Sequence, residues 1–590
     1  MTNAEIAKLL RNVAAAMTIL NDREYHFQLV AYEKAADIIS ASAEQVTDLV
    51  REGKLADVKG IGEIMRGHLT ELVTKGKVKH FETFLKKIPA AVFPLLDVPS
   101  IGPKRAYKLV TELHLSKPET VIADLKKKLT SEKLTIERFG ETSQQALIRA
   151  LEEFGKGAGK TTRMLLPFAD KIAMQLTDYL KKIPEVHQAE ALGSLRRRVF
   201  TVGDIDIAVA SNEPEKVIAH FVQYPYKSRV IEQGPNTASL LTSGGQQVDL
   251  MVQPIEGFGS LLQHFTGSKH HNVHLRDLAL RKKLSLSEYG IKRLDKKSEV
   301  REKYKTEEEF YNAMGLEWVP PEMREDRGEI ELAEKHSLPH LVELKDIKGD
   351  LHTHSSYPIE PSHDLGLTSM EDMLKKAEQL GYEYLGFSEH NPSVSQHTER
   401  QIFSILQKRD EHIEHIKSNI KSVRVIKLLE IDILANGSLS VDDKSLSLLD
   451  AGIVSIHSSF GMSKEKMTQR ILAGLSHPKV KILAHPTGRL FGSRESYDVD
   501  WDTLFDFCKT HNKALEINAW PERTDLPDTL IQEAIKHGVK MVIDTDSHEV
   551  SHMDLMQYGV YNARRGWAEK KDILNTLGYN EFAKWLKGGE

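Results

Sequence analysis

Candidate metal ligands recur where apolar runs end in the C-terminal part of this 590-residue chain. Each run has the length of a buried strand, and stretches with helical periodicity separate the runs. In a barrel of alternating strands and helices, residues at the carboxyl ends of the strands meet on one rim. The pattern therefore predicts a β/α barrel with a metal centre, because imidazole and carboxylate groups bind metal ions together. The predicted ligands are His352, His354, His390, Glu430, His457, His485, Asp546 and His548.

A histidine pair by itself is commonly structural. His352 and His354 lie two residues apart in the sequence GDLHTH, so on a strand they share one face. Further candidate ligands follow the later apolar runs, and so many separate placements by chance are improbable. The repetition favours the metal centre over a structural pair.

A second acidic cluster lies in the segment from Ala191 to Val209, ALGSLRRRVFTVGDIDIAV. We predict a strand that carries Asp204 and Asp206 on one face, with Ile205 and Ile207 pointing into the core. Such a pair of acids is unfavourable unless a cation lies between them, and hard oxygen ligands suit Mg²⁺ or Mn²⁺. Taken alone, the D-x-D spacing also fits the solvated face of an edge strand.

A third acid and a glycine turn favour the metal site. Asp249 lies in another apolar run, QVDLMV, as a neighbouring strand of the same sheet would place it. Three acids can hold two ions. The turn at Gly193 and Ser194 offers backbone N–H groups beside the arginines 196–198, and this combination suits a triphosphate.

These residues resemble the palm of the family X DNA polymerases, whose best-known member is DNA polymerase beta. The sequences FTGS from Phe265 and EYGI from Glu288, with Asn272 and Arg276 between them, resemble the family's thumb. Two positions depart from the animal enzyme, which has a tyrosine in place of His264 and an arginine in place of Gln247. Sugar discrimination and primer alignment depend on these two positions.

The resemblance implies roles for the matched residues. Asp204, Asp206 and Asp249 are the expected catalytic residues, and they hold two Mg²⁺ or Mn²⁺ ions that activate the primer 3′-hydroxyl and bridge the incoming triphosphate. Asn272 and Arg276 are expected to contact the nascent base pair from its minor-groove side. The expected nucleotide-binding residues are Gly193, Ser194, Arg197, Gly203, His264, Phe265, Gly267 and Asn272.

Two similar turns near the N-terminus each precede an amphipathic helix, in the sequences VKGIGEIMR and VPSIGPKR. Such a turn between two helices presents backbone N–H groups to a DNA phosphate, as in a helix-hairpin-helix motif. One glycine often merely ends a helix, but two copies favour DNA binding. In the family X polymerases these motifs grip the strands on either side of a gap. The expected DNA-binding residues are Gly60, Gly62, Ser100, Gly102, Lys104 and Arg276.

The charge distribution agrees with a DNA-binding front half. The net charge is −5, but residues 51–300 carry 40 Lys and Arg against 29 Asp and Glu, whereas residues 331–590 carry 31 against 40. Basic surface attracts DNA, although a merely uneven surface also fits these numbers. The single cysteine, Cys508, suits a reducing compartment, and no apolar run has membrane length. We expect a cytoplasmic protein.

The C-terminal pattern resembles the PHP domain (polymerase and histidinol phosphatase), a distorted β/α barrel that cleaves phosphoesters with two or three Mn²⁺ or Zn²⁺ ions. Bacterial family X polymerases carry this domain at the same place. The family has a metal-binding aspartate in an S-D-G sequence after the H-x-H, but Ile359 occupies that position here. Either His363 or Asp364 replaces the missing ligand, or one ion is lost.

We therefore expect a multidomain α+β and α/β protein with helix-hairpin-helix domains, a nucleotidyltransferase palm with a thumb, and a PHP barrel. Pro320-Pro321 opens a charged segment without a clear apolar face, which predicts a linker before the barrel. The expected domains are an N-terminal helical domain (1–90), a fingers-like helical domain (91–158), the palm (159–256), the thumb (257–318), the linker (319–346) and the PHP domain (347–590).

The expected function is short-gap filling in DNA repair, with a metal-dependent 3′-5′ exonuclease in the PHP domain; abasic-site cleavage stays open. The expected partners are gapped or primer-template DNA and dNTPs, with no membrane, for a monomeric protein. One alternative is a PHP nuclease whose front half delivers DNA without polymerising. Another is a non-catalytic DNA-binding scaffold, which does not explain two metal constellations in one chain.

We expect weak or absent 5′-deoxyribose-phosphate lyase activity, because that chemistry needs a lysine amine to form a Schiff base with the abasic sugar. His68 occupies the matching position after the first hairpin, and Lys59, Lys75 and Lys77 are poor substitutes. Borohydride trapping on incised abasic DNA measures this activity. Efficient trapping of the N-terminal domain would contradict the prediction.

Overall fold

The computed structural model describes residues 1, 3–21, 24–41, 46–51, 53–58, 60–98, 101–131, 147–148, 151, 163–295 and 300–588. The chain forms two compact units. The first comprises residues 1–164, 168–191 and 203–255, and the second comprises residues 165–167, 192–202 and 256–590.

The N-terminal part of the first unit is helical. Buried side chains such as Leu10, Met17, Leu69 and Phe81 form one apolar core, because they recur on one face of each helix. The described helices up to residue 221 are Asn3–Asn21, His26–Ala41, Val46–Arg51, Glu63–Lys75, Lys79–Leu85, Val92–Leu95, Pro103–Glu112, Val121–Ser131, Leu166–Leu180, Gly193–Arg196 and Pro214–Phe221.

Each hairpin turn ends in a glycine that precedes the next helix. Gly62 and Gly102 are exposed N-caps, so a DNA backbone can approach the start of either helix. Gly60 has a φ of 84°, and a Cβ at this position would lie 2.7 Å from Ile38 Cδ1, so the first turn requires glycine. Ser100 lies outside the described residues.

A five-stranded sheet completes the first unit, in the order β2-β4-β7-β6-β5. Strands β4 and β7 are parallel, and the other neighbours are antiparallel. Ile205, Ile207, Val248 and Leu250 are buried, so the polar residues that alternate with them share the opposite face. The strands of this sheet are β2 (Gln188–Ala191), β4 (Ile205–Ala210), β5 (Lys227–Gln233), β6 (Thr237–Thr242) and β7 (Gln247–Gln253). The short strands β1 (Met164–Leu165) and β3 (Thr201–Val202) form a separate two-stranded sheet.

The thumb region of the second unit combines helices with a small antiparallel sheet. Phe310 and Tyr311 are fully buried in its core. The strands are β8 (Leu284–Ser287), β9 (Gly290–Arg293) and β10 (Arg301–Glu302), in the order β10-β9-β8. The helices are Phe258–Thr266, Lys269–Arg281 and Glu307–Asn312.

The sequence predicts an open linker at residues 319–346, but this segment contributes to the same apolar core. Val319, Met323 and Ile330 are buried there, and helix Glu329–Glu334 follows. Arg324 is fully buried, and its Nη1 donates a hydrogen bond to Glu307 Oε1 at 2.6 Å. The charged residues that suggest a solvated linker thus include one that is paired inside the protein.

The C-terminal region is a distorted β/α barrel. Its strands form two parallel sheets, in the orders β11-β12-β13 and β14-β15-β16-β17-β18. Single parallel bridges join the two sheets on both sides, between Thr353 and Ser547 and between His390 and Glu430. The strands are β11 (Gly349–Asp350), β12 (Tyr384–Phe387), β13 (Arg424–Lys427), β14 (Glu430–Asp432), β15 (Gly452–Ser455), β16 (Val480–Leu483), β17 (Ala514–Asn518) and β18 (Lys540–Asp544).

Helices between the strands and after the last strand cover the barrel with apolar faces. Met373, Leu406, Ile471 and Leu504, for example, are buried against it. The helices are Met370–Gln379, Glu399–Asn419, Asp443–Leu446, Lys464–Leu475, Trp501–Thr510, Asp528–His537, Met556–Arg565 and Tyr579–Leu586. Throughout the described ranges, no helix is both long and apolar enough to cross a membrane.

Candidate functional sites

Two of the predicted catalytic aspartates are neighbours across parallel strands. Asp206 on β4 is paired in register with Asp249 on β7, which confirms that the third acid comes from an adjacent strand. The prediction that Asp204 lies on the same strand as Asp206 is wrong, because strand β4 begins at Ile205 and Asp204 lies in the preceding bend. Asp204 is exposed in this bend, next to the paired Asp206 and Asp249 at the start of strand β4.

The three carboxylates repel one another. Burial, and then the charges of Asp204 and Asp249, raise the pKa of Asp206 to about 7. Asp249 accepts hydrogen bonds from Ser239 Oγ and, at 3.1 Å to each oxygen, from Gln247 Nε2. Gln247 therefore orients Asp249 without adding a positive charge. Divalent cations would relieve the repulsion, so this donor set fits Mg²⁺ or Mn²⁺.

The predicted phosphate turn belongs to the second unit. Gly193 opens its short helix with a φ of 58°. Arg197 Nη1 donates to the Thr266 carbonyl oxygen at 2.5 Å, and its Nε donates to Glu325 Oε1 at 3.1 Å. A Cβ at Gly267 would lie 3.1 Å from Arg197 Nη1, so glycine permits this approach. The structure thus brings two predicted nucleotide-binding residues together.

Four other predicted contacts lie on the thumb. Asn272 Nδ2 donates to the His264 carbonyl oxygen at 2.7 Å, and Asn272 Oδ1 accepts from Gln263 Nε2 at 2.9 Å. The rings of His264 and Phe265 pack edge to face, 4.8 Å apart. Burial lowers the pKa of His264, which favours the neutral imidazole. Arg276 is exposed, as contact with DNA requires.

The predicted ligands of the barrel meet at the carboxyl ends of its strands. Glu430 is buried at their centre. Its Oε2 lies 3.2 Å from His352 Nε2 and 2.9 Å from His390 Nδ1. Its Oε1 lies 2.9 Å from His485 Nε2 and 3.3 Å from His457 Nε2. The predicted rim location is confirmed.

Four groups of three residues in the described ranges place ligand atoms within 4.8 Å of one another. Neighbouring groups share His354, His390 or His457, so they form one continuous centre with room for more than one ion. The groups are His354, His390 and His548; His352, His354 and Asp546; His363, Asp432 and His457; and His390, Glu430 and His457.

Several buried nitrogen and oxygen atoms of this centre make no hydrogen bond of good geometry, although most of them lie within ion-pair distance of one another or of a neighbouring carboxylate. Such atoms are unfavourable unless a ligand reaches them. Burial alone raises the pKa of Glu430, but His390, His352 and His457 lower it well below its usual value, so the carboxylate stays ionised. The residues therefore fit Mn²⁺ or Zn²⁺ ions. The atoms are His352 Nε2, His354 Nδ1 and Nε2, His390 Nδ1, Glu430 Oε2, His485 Nδ1 and His548 Nε2.

The loop after the H-x-H brings both of its candidate ligands to the centre. His363 Nε2 lies 3.1 Å from Asp432 Oδ1. The two oxygens of Asp364 lie 3.1 Å from His390 Nε2 and 3.0 Å from His548 Nε2. The sequence analysis treats His363 and Asp364 as alternatives, whereas the fold brings both side chains to the centre.

Sequence reasoning misses Asp432, which completes the group with His363 and His457. Its Oδ1 lies 2.7 Å from His457 Nδ1. The signal is present, because Asp432 follows Glu430 by two residues on a strand and so shares its face. The rule that residues two apart on a strand share a face therefore identifies Asp432 as a candidate ligand, because Glu430 and Asp432 both lie on β14.

Two further residues support the ligands without having been predicted. Glu516 Oε1 lies 2.6 Å from His352 Nδ1, and Arg523 Nε lies 3.3 Å from Asp546 Oδ2. A carboxylate on the second nitrogen of a histidine ligand fixes its ring and its tautomer. Glu516 stands in the apolar run KALEIN, so its signal resembles that of the other strand-end acids.

The prediction that His352 and His354 lie on a strand is wrong. Strand β11 ends at Asp350, whose Oδ1 accepts hydrogen bonds from the backbone N–H groups of His352 and Thr545. The Asp350 side chain thus accepts the hydrogen bonds that the backbone of a neighbouring strand would otherwise accept. The two imidazoles still face one centre, with ring centroids 5.0 Å apart.

Known proteins match the sequence along the whole chain. The family model "DNA polymerase beta thumb" matches residues 261–325, and "Helix-hairpin-helix domain" matches residues 1–78. The chain is 32% identical over 590 residues to the DNA polymerase/3′-5′ exonuclease PolX of Bacillus subtilis (strain 168), and the match covers 100% of both proteins. The chain belongs to the bacterial family X DNA polymerases.

Other relatives match parts of this family X chain. A probable phosphatase of Clostridium acetobutylicum is 30% identical over 208 residues, which are 34% of the family X chain and 78% of the phosphatase. A DNA polymerase lambda of Arabidopsis thaliana is 24% identical over 330 residues, which are 50% of this chain and 57% of that protein. The phosphatase match lies in the C-terminal part, as a PHP domain there requires.

We expect Asp206→Asn to raise the thermal unfolding temperature of the metal-free protein more at pH 8 than at pH 5. The pKa of Asp206 is about 7 in the fold against an ordinary 3.8, so the folded state loses stability as pH rises between these values. Calorimetry in EDTA measures the shift, with the exposed Asp178→Asn as the control. An equal shift at both pH values would contradict the assignment of the repulsion.

Proposed function

We propose that this chain fills short gaps in DNA during repair and also degrades DNA from the 3′ end. Its full-length identity with a protein named for polymerase and exonuclease activities carries this conclusion. The substrates are dNTPs and gapped or primer-template DNA, bound by a monomer. A DNA substrate and a single buried cysteine, Cys508, support a cytoplasmic location.

Nucleotide addition takes place at the palm aspartates. Asp204, Asp206 and Asp249 would hold two Mg²⁺ or Mn²⁺ ions, which supply charge stabilisation and activate the primer 3′-hydroxyl. Ser194 and Arg197 bind the triphosphate, with Gly193, Gly203 and Gly267 allowing close approach. His264, Phe265 and Asn272 contact the nucleotide from the thumb. Hydrogen bonds from Ser239 and Gln247 hold the carboxylate of Asp249 in one orientation, in which it would serve as a metal ligand.

DNA is held mainly through its backbone. The hairpin residues Gly60, Gly62, Ser100, Gly102 and Lys104 bind phosphates on either side of the gap without reading sequence. The thumb adds a further contact through Arg276. Exposure of Gly62 and Gly102 at the start of two helices supports this assignment.

The exonuclease site is the rim of the barrel. Two or three Mn²⁺ or Zn²⁺ ions there would activate a water and stabilise the leaving oxygen. Both oxygens of Glu430 lie within 3.3 Å of imidazole nitrogens, so Glu430 would help to hold ions together with these histidines. Glu516 fixes the ring of His352, and Arg523 holds Asp546. Cleavage at abasic sites is a second reaction that the same centre suits.

We expect Asp204→Ala and Asp206→Ala to abolish nucleotide addition and leave metal-dependent degradation unchanged, because the two clusters use separate ligands. His485→Ala should do the reverse. Extension and degradation of one labelled gapped duplex measure both activities in the same preparation. Loss of both activities in any one of these variants, with the fold intact, would contradict the two-site proposal. Degradation without extension by the unaltered protein would favour a nuclease that merely delivers DNA.

We expect at least two tightly bound ions per chain at the barrel. Asp432→Asn should lower that number by one and slow degradation without abolishing it, because Glu430 and its surrounding histidines stay in place. Elemental analysis after gel filtration measures the ions, and degradation of a 3′-labelled strand measures activity. The exposed Asp498→Asn serves as the control. If no ion is found and Mn²⁺ restores no degradation, the barrel is a structural remnant.

A further inference from the structure

A helix of the barrel contacts the turn that carries Arg197. Arg565, at the end of helix Met556–Arg565, is 7% exposed. Its Nη1 donates to the Arg197 carbonyl oxygen at 2.7 Å and to Glu325 Oε1 at 3.0 Å, and its Nη2 donates to Asp528 Oδ2 at 2.7 Å. One buried guanidinium thus joins the phosphate turn, the segment after the thumb and another barrel helix.

Glu325 lies between two arginines. Its Oε1 accepts from Arg565 Nη1 and also from Arg197 Nε, at 3.1 Å. Arg197 Nη1 in turn donates to the Thr266 carbonyl oxygen, next to Gly267. Planar guanidinium groups held in this way have few accessible rotamers, so the contacts fix where the Arg197 side chain lies.

The same helix holds the next residue of the turn. The guanidinium carbon of Arg198 lies 4.3 Å from the centroid of the Tyr561 ring. Tyr561 and Arg565 are four residues apart, so they lie on one face of the helix, and that face meets the turn. An aromatic face is a favourable partner for a cation, so the contact helps to hold the Arg198 side chain against the helix.

We propose that Tyr561 and Arg565 of the PHP barrel are positioning residues for nucleotide addition, because they hold the phosphate turn in the geometry that receives the triphosphate. The inference rests on the proposed role of Arg197 in binding that triphosphate. The barrel then serves the polymerase reaction through its outer helix, independently of the metal centre on its rim.

The neighbouring arginine provides a matched control. Arg564 is on the same helix and donates to Glu322 Oε1 at 2.7 Å and to the Val342 carbonyl oxygen at 3.2 Å. These contacts also join the barrel to the segment after the thumb, but they involve no residue of the phosphate turn. Replacing Arg564 therefore removes comparable contacts between the barrel and the segment after the thumb, but it removes no contact with the phosphate turn.

The test compares Arg565→Gln with Arg564→Gln in the full chain, by single-nucleotide addition to gapped DNA. We expect Arg565→Gln to raise the KM for dNTP about tenfold, with a smaller change in kcat and unchanged degradation of a 3′-labelled strand. Arg564→Gln should leave that KM within about twofold. Arg565→Lys, which keeps the charge and one contact, should recover part of the loss.

Tyr561→Leu removes the aromatic ring beneath Arg198 but keeps an apolar side chain there. It provides a second test of the inference if Arg565→Gln does not fold. It should raise the KM for dNTP and leave the rate of 3′ degradation unchanged. Equal KM values for Arg565→Gln and Arg564→Gln would overturn the inference. So would a parallel fall of extension, degradation and thermal unfolding temperature in both turn-facing variants. Absence of extension by the unaltered protein would instead refute the proposed function.

Discussion

A buried carboxylate at the centre of the barrel governs the arrangement of the C-terminal half. Glu430 is removed from water, and a charge in such a place is strongly unfavourable unless partners surround it. Imidazoles from the ends of four strands supply those partners at distances of 2.9 to 3.3 Å. The strands must therefore end on the same rim. The barrel provides that convergence, and the metal chemistry depends on it.

Periodicity explains what the sequence predicts well. A spacing of two residues on a strand places Asp206 beside the buried Ile205 and Ile207, and the structure has this alternation. Ligands after apolar runs are predicted correctly because the end of a parallel strand has a fixed place in a barrel. The same rule applied to Glu430 also identifies Asp432. The family resemblance adds the thumb and the hairpins, which spacing alone does not specify.

Periodicity in the sequence does not predict the paths of loops or the partners in buried ion pairs. The positions of His363 and Asp364 depend on how an irregular loop folds back over the rim, and no period describes its path. The segment 319–346 looks solvated because its charges are visible in the sequence and their partners are not. Arg324 is paired with Glu307, 17 residues away, and Arg197 is paired with Glu325, 128 residues away. Only the folded structure shows which charged side chains form ion pairs.

The seam of the barrel has a consequence for its stability. The first and last strands meet through a single bridge between Thr353 and Ser547, and ligands on both sides of it, His354 and Asp546, lie 3.2 Å apart. An ion shared by these two residues would join two ends of the domain that are distant in sequence, as a covalent crosslink does. Loop closure over such a span is entropically unfavourable in the unfolded chain. Bound metal would therefore raise the resistance of the barrel to unfolding in addition to supplying its chemistry.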